Sequence, residues 1–137
     1  MFDVLGDLNP VGILISFMAF TLLGGVWFAV LFPRAYNRSL GRDPQAKPEG
    51  SPLFFAGPAL TSLVITLTSA IMMAALEIDT LGDAMLFGFI VGFGYLTANT
   101  VNIAINPNFP RPLLYAAISG GYNLVGSLIV SAILLAF

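Results

Sequence analysis

Four long apolar stretches separated by short polar connections dominate the chain. The hydrocarbon core of a bilayer is about 30 Å thick and takes roughly 20 residues of helix to cross. Stretches at about 11–32, 55–76, 84–105 and 113–136 meet that length, and none contains Asp, Glu, Lys or Arg. The pattern predicts an all-α, integral-membrane four-helix bundle, a single transmembrane domain over 1–137 with a basic loop at 33–52. Local signals mark the helix starts. Asn9 is placed as an N-cap with Pro10 at the first helical position, and Pro112 holds the same position before the fourth span. Thr80-Leu81-Gly82-Asp83 reads as a loose capping box before the third. The second span opens either near Leu53, after Ser51-Pro52, or at Pro58, because a proline in the second turn strains a helix.

Polar residues inside the spans fall on faces. Tyr95, Asn99, Asn102 and Asn106 are spaced 4, 3 and 4 apart, which places them on one side of the third helix. Ser119, Asn123, Ser127 and Ser131 form an i+4 row in the fourth, with Tyr122 beside it. Ser16, Phe20, Gly24, Trp27 and Leu31 share a face of the first. Gly88 with Gly92, and Gly94 with Ala98, have the small-xxx-small spacing that lets helix backbones approach closely, within the chain or between copies. Arg34 and Arg38 at i and i+4 predict a short basic interfacial helix between Pro33 and Gly41. Phe32-Pro33-Arg34 recurs as Phe109-Pro110-Arg111 at the same end of an odd-numbered span, a placement that points to a duplicated hairpin.

Composition fixes the solvent. Of 137 residues, 58% are hydrophobic and 9% charged, against about 25% charged in soluble domains. Mean hydropathy is +0.93, so lipid must be the main surrounding. Cysteine and histidine are both absent. That excludes thiolate and imidazole chemistry, disulfides, and Cys/His zinc sites. A net charge of -2 with five Lys and Arg excludes a basic nucleic-acid surface. Met72, Met73 and Met85 lie near Glu77, Asp79 and Asp83, but read as flexible apolar filler beside an acidic loop rather than a metal site. No metal and no cofactor is expected.

Charge is sorted by connection. Arg34, Arg38, Arg42 and Lys47 lie in the first and Arg111 in the third, while Asp3 and Asp7 precede the first span and Glu77, Asp79 and Asp83 occupy the second. The positive-inside rule makes the basic connections cytoplasmic and both termini non-cytoplasmic, in a plasma or bacterial inner membrane. A cleaved signal peptide fits the first span poorly, since its leading tail is acidic and its apolar run too long.

This orientation brings Asn99, Asn102, Tyr122, Asn123 and Trp27 to one depth in the cytoplasmic half, with Arg34 and Arg111 at the rim. The asparagines are expected to face each other, a partner chain or a water-filled space, not lipid. They serve either as packing glue between helices or as a vestibule binding or moving a small polar or anionic solute, with Trp27, Arg34, Tyr95, Asn99, Asn102, Asn106, Arg111, Tyr122 and Asn123 as ligand-binding candidates. Expected partners are the lipid bilayer and either further copies in a homo-oligomer or other membrane subunits. The alternative role is a non-catalytic accessory subunit. Enzymatic activity is not expected, because no span holds the paired titratable groups that acid–base chemistry needs.

Gly24-Gly25-Val26-Trp27-Phe28, the glycine-rich third span, Arg111-Pro112 and Ser119-Gly120-Gly121-Tyr122 together resemble the small bacterial membrane family called domain of unknown function 1761. The resemblance covers nearly the whole chain and implies a four-span bundle. The family pattern has Trp-Tyr where this chain has Trp27-Phe28, so a role resting on a phenol at that position does not carry over.

Overall fold

The structure, a computed structural model, describes residues 2–47 and 50–137. A 3₁₀ turn, Phe2–Gly6, leads into α1 (Pro10–Val26), which a π-helical turn extends through Trp27–Leu31. The short α2 is Pro33–Ser39, α3 is Pro52–Ala75 and α4 is Leu81–Phe89. A π-helical stretch, Ile90–Thr97, joins α4 to α5 (Ala98–Ala104), and α6 is Pro112–Ala136. Four rods result, Pro10–Leu31, Pro52–Ala75, Leu81–Ala104 and Pro112–Ala136, each long and apolar enough to span a membrane. Among the described residues there is no strand.

Caps settle where the rods begin and end. The Asn9 side chain accepts from the Val11 and Gly12 amides, and its own amide donates to the Phe137 carbonyl at 3.0 Å, tying the start of α1 to the far end of α6. Thr80 Oγ1 accepts from the Asp83 amide at 3.1 Å and donates to the Asp83 carboxylate at 2.6 Å. The second rod starts at Pro52 and carries Pro58 inside it. Gly41, at φ 69°, closes α2 in the left-handed conformation that glycine adopts without penalty. Glu77 closes α3 the same way at φ 54°, with Glu77 N–H donating to Ala74 and Ile78 N–H to Met73. A side chain there is strained, since the left-handed region costs a non-glycine residue roughly 1 kcal/mol.

α6 is the hub. α1, α3 and all three segments of the third rod pack on it, and it can receive them because it presents small residues where they meet. A Cβ at Gly126 would collide with the Phe20 ring, and one at Gly120 would stand 2.7 Å from Thr97 Cγ2. The partner helix is small where it meets α6 too: a Cβ on Gly88 would lie 2.9 Å from the Ser127 carbonyl and one on Gly92 2.9 Å from Leu124 Cα. Gly88 and Gly92 therefore set the α4–α6 approach, while Gly94 and Ala98 are exposed on the other side.

The rods interdigitate through hydroxyls as much as through hydrocarbon. Ser16, Ser62, Thr66, Ser69, Ser119, Ser127 and Ser131 are buried beside Phe20, Ala70, Met73, Phe87, Ile118 and Val130. The lipid-facing surface is the inverse, with Leu14, Met18, Leu22, Val30, Leu60 and Val64 all exposed.

Two outcomes follow for stability. Gly92→Ala should lower the melting temperature in mild detergent, because backbone must move; overpacking typically costs about 1–3 kcal/mol. Gly25→Ala, where nothing lies within 4 Å, should leave melting unchanged or raise it. Separately, Glu77→Gly should stabilise the protein by about 0.5–1 kcal/mol in denaturant or thermal titrations, by relieving the left-handed strain.

Candidate functional site

The site is built outward from α6, whose row Ser119, Asn123, Ser127 and Ser131 faces the interior. The Asn123 amide donates to Thr100 Oγ1 at 2.9 Å, and Thr97 Oγ1 donates to the Gly120 carbonyl at 2.8 Å, so the third rod is pinned to α6 by two threonines. On the opposite flank, Trp27 Nε1–H donates to the Ile118 carbonyl at 3.0 Å, and its ring rests over Gly121. The Tyr122 hydroxyl lies 3.4 Å from the Phe20 carbonyl and covers Gly24. Trp27 and Tyr122 thus hold the end of α1 against α6, which needs Gly24 and Gly121 as seats.

Aromatic rings run from this point toward the basic end. Phe20 stacks on Tyr122 at 5.1 Å between centroids, Tyr122 meets Phe28 edge-on at 5.3 Å, Phe28 meets Tyr36 at 4.8 Å, and Tyr36, Tyr115 and Phe109 continue the contact. Offset and edge-to-face pairs of this kind are favourable beyond their burial. They brace α2 against α6. Burial, followed by the neighbouring Tyr115, pushes the Tyr36 phenol above its ordinary range, while Arg42 pulls it back.

Between α3 and α5, with α6 as its floor, lies a cleft of about 400 Å³. Gly57, Pro58 and Thr61 form one wall, Thr100 and Ile103 the other, and Tyr115, Ser119, Tyr122 and Asn123 the floor, with Phe28 and Tyr36 closing the basic end. That volume falls in the range of small-molecule sites, and the mixture of rings with a few hydroxyls and one amide is typical of them. The lining holds no carboxylate or guanidinium. A second recess of about 350 Å³ opens at the acidic end, bordered by Asp7, Gly12, Ala70, Met73, Glu77 and Asp79. Ser62, Thr66 and Ser69 follow one face of α3 from the first opening toward the second, with Ser16 buried on α1. Ser16 Oγ, Thr21 Oγ1, Thr66 Oγ1 and Ser127 Oγ are buried with no hydrogen-bond partner among the described residues. Each such hydroxyl costs about 1–3 kcal/mol.

The structure divides the residues singled out from spacing. Tyr122 and Asn123 line the cleft, while Trp27 lies outside the lining, tied to the Ile118 carbonyl beside Ser119. Asn106 caps the end of the third rod, donating to the Ile103 carbonyl and accepting from the Asn108 amide. Arg34 and Arg111 are exposed at the basic end, outside the cleft lining. Tyr95, Asn99 and Asn102 point away from α6, all exposed, Tyr95 at 70%. The π-helical stretch explains the division. Gly88 and Gly92 meet α6 four residues apart, but the next contact is Thr97, five residues on. The wider turn rotates α5 so that Thr97, Thr100 and Ala104 take the inner face. Thr61, Thr97, Thr100, Tyr36 and Tyr115 were not singled out from the sequence. The Thr97-Thr100-Ala104 spacing was the available signal, and it competes with the asparagine spacing on equal terms.

An uncharged, aromatic-floored cleft among four bilayer-length helices defines a small polytopic membrane protein. The sequence matches the profile described as Protein of unknown function (DUF1761) over residues 11–135, and the chain belongs to that family. The resemblance carried by the Gly24–Phe28 and Ser119–Tyr122 motifs is therefore borne out. No curated protein and no solved structure matches the chain significantly.

Tyr36 gives a pH test. Its pKa is raised in the folded state, so its contribution to stability is complete below the ordinary tyrosine value near 10 and is lost as pH rises through the higher folded value. Wild type should lose melting temperature through that alkaline window, and Tyr36→Phe should lose less across the same series.

Proposed function

We propose that the cleft binds a small, uncharged, hydrogen-bonding solute such as a short polyol or a simple amide, and that the protein passes it across the cytoplasmic or inner membrane without chemical change. The observation that carries this reading is the cleft lining, where Asn123, Thr100, Thr61 and Ser119 present donors and acceptors among aromatic rings. Charge argues against an ionic cargo. An ion entering this lining would shed water with no counter-charge to meet it, and that desolvation is prohibitive in a low-dielectric site. Arg34 and Arg111 are exposed outside the lining and fit interfacial anchoring at a cytoplasmic surface, as the positive-inside rule expects.

Passage, rather than binding alone, is supported by the hydroxyls between the two recesses. Serine and threonine buried without protein partners are costly where alanine or valine would pack as well. A polar solute or water moving along α3 would meet Thr66 on α3 and Ser16 on α1, both buried without a partner among the described residues. Catalysis is not part of the reading, because the cleft offers hydroxyls, phenols and an amide but no carboxylate, imidazole or thiol.

Trp27, the sole tryptophan, adjoins Phe28 in the cleft lining and serves as a reporter. Titrating purified protein with glycerol, erythritol, urea and acetamide should give a saturable fluorescence change with at least one. Thr61→Val and Asn123→Leu should each weaken it about ten-fold, the loss of one to two hydrogen bonds. Stopped-flow swelling of proteoliposomes in the same solute should be slowed by Thr66→Val. Absence of a saturable response to all four solutes, or a response indifferent to both cleft variants, overturns the proposal.

A further inference from the structure

The lipid-facing surfaces of α1 and α3 are made mainly of leucine, valine, methionine and phenylalanine. The third rod is different. Its outer surface is apolar at one end, through Leu86, Phe89, Ile90 and Phe93, and polar at the other, through Tyr95, Asn99 and Asn102. These three side chains make no hydrogen bond to any described residue. Asn99 and Asn102 are the exposed amide side chains found within the described spanning helices. Asn99 sits five residues from the end of α5 at Ala104, about 7 Å along the axis, and Tyr95 sits deeper. Hydrocarbon offers neither donor nor acceptor to them.

We propose that this face is covered by the same face of a second copy, giving a two-fold dimer about an axis along the membrane normal. The occupant follows from the hydrogen-bonding chemistry. Two copies inserted in the same orientation bring each residue near the axis against its own counterpart at the same depth. A surface that must match itself cannot rely on a charge, since like would meet like. An asparagine amide carries both donor and acceptor, and a tyrosine hydroxyl does too. Asn99, Asn102 and Tyr95 are thus complementary to themselves. Gly94 and Ala98 lie on the same exposed side, and an added Cβ at Gly94 would meet nothing within 4 Å in the single chain. These small residues leave room for the two backbones to come close enough for amides to pair. Asn99 lies one turn before Ile103, which lines the α5 wall of the cleft, so the dimer face borders the cleft; the dimer nevertheless rests on membrane placement and not on the solute reading.

The absence of cysteine in the native chain makes the test direct. Ala98→Cys should form a disulfide-linked dimer under mild oxidation in native membranes, whereas Val64→Cys, on the exposed face of α3, should remain uncrosslinked. Mass measurement in gentle detergent and in nanodiscs should show twice the 14.5 kDa chain. Asn99→Leu with Asn102→Leu should shift the population to monomer with at least a ten-fold weaker association. Its circular dichroism and melting should stay near wild type, since leucine faces lipid without cost. A monomer at every protein-to-lipid ratio, crosslinking through Val64→Cys but not Ala98→Cys, or co-purification with a different membrane chain in fixed ratio, overturns the proposal. Solute titration of the monomeric double variant separates the two readings: retained binding with lost dimer leaves the cleft standing alone.

Discussion

Hydrocarbon cannot hydrogen-bond, and the architecture of this chain follows from that single constraint. Backbone groups meet it by forming helices. Side-chain groups must be housed by other helices, and α6 does most of the housing. Its serines, Asn123 and Tyr122 turn inward, and its carbonyls at Ile118 and Gly120 receive Trp27 and Thr97. A helix can serve this many neighbours only where it is thin, and Gly120, Gly121 and Gly126 provide that thinness where Thr97, Trp27 and Phe20 press in. Glycine here is a packing residue, and its conformational cost in a helix is smaller in a bilayer than the loss of close approach.

Hydroxyls near the bundle interior raise a question that hydrophobic packing does not answer. Burying alanine or valine at Ser16, Thr66 and Ser127 would avoid desolvating an unmatched oxygen, and the adjoining residues are already apolar. Thr97 and Thr100 are different, because their oxygens are engaged with Gly120 and Asn123. The first group therefore separates from the second on physical grounds. Engaged hydroxyls hold helices together, while the unengaged ones leave a hydrogen-bonding demand that no described residue meets. Thr66 lies on the α3 face that runs from one recess toward the other, whereas Ser127 packs against Gly92 of the third rod.

Much of the architecture was legible in the order of residues. Four charge-free stretches, the prolines at their starts, the Asn9 and Thr80 caps and the short basic helix after Phe32 all correspond to features of the structure. These are local or length-based signals, and each depends on chemistry within one turn. The facing of the third rod was not legible in the same way. Helical spacing groups Gly88, Gly92, Tyr95 and Asn99 on one side, and that grouping assumes an unbroken α-helical period. A π-helical turn between Ile90 and Thr97 breaks it. Whether a wider turn forms depends on how the glycines seat against α6, which is a tertiary event. The cleft suffered similarly: Tyr36, Thr61, Thr100 and Tyr115 come from four separate elements, and no spacing rule joins them.

The π-helical insertion also gives the third rod two kinds of polar surface from one sequence. With a regular period, Asn99 and Asn102 would follow Gly92 onto α6, and the threonines would face outward. Threonine can satisfy its own hydroxyl by bonding back to the preceding turn, as Thr100 does with the Leu96 carbonyl at 2.8 Å, so it would tolerate lipid. Asparagine has more hydrogen-bonding groups than its own helix can satisfy. The observed arrangement exposes the side chains that tolerate lipid least and shelters those that tolerate it best. For an isolated chain that is the costlier choice, and it becomes the favourable one only when something other than lipid lies against Asn99 and Asn102.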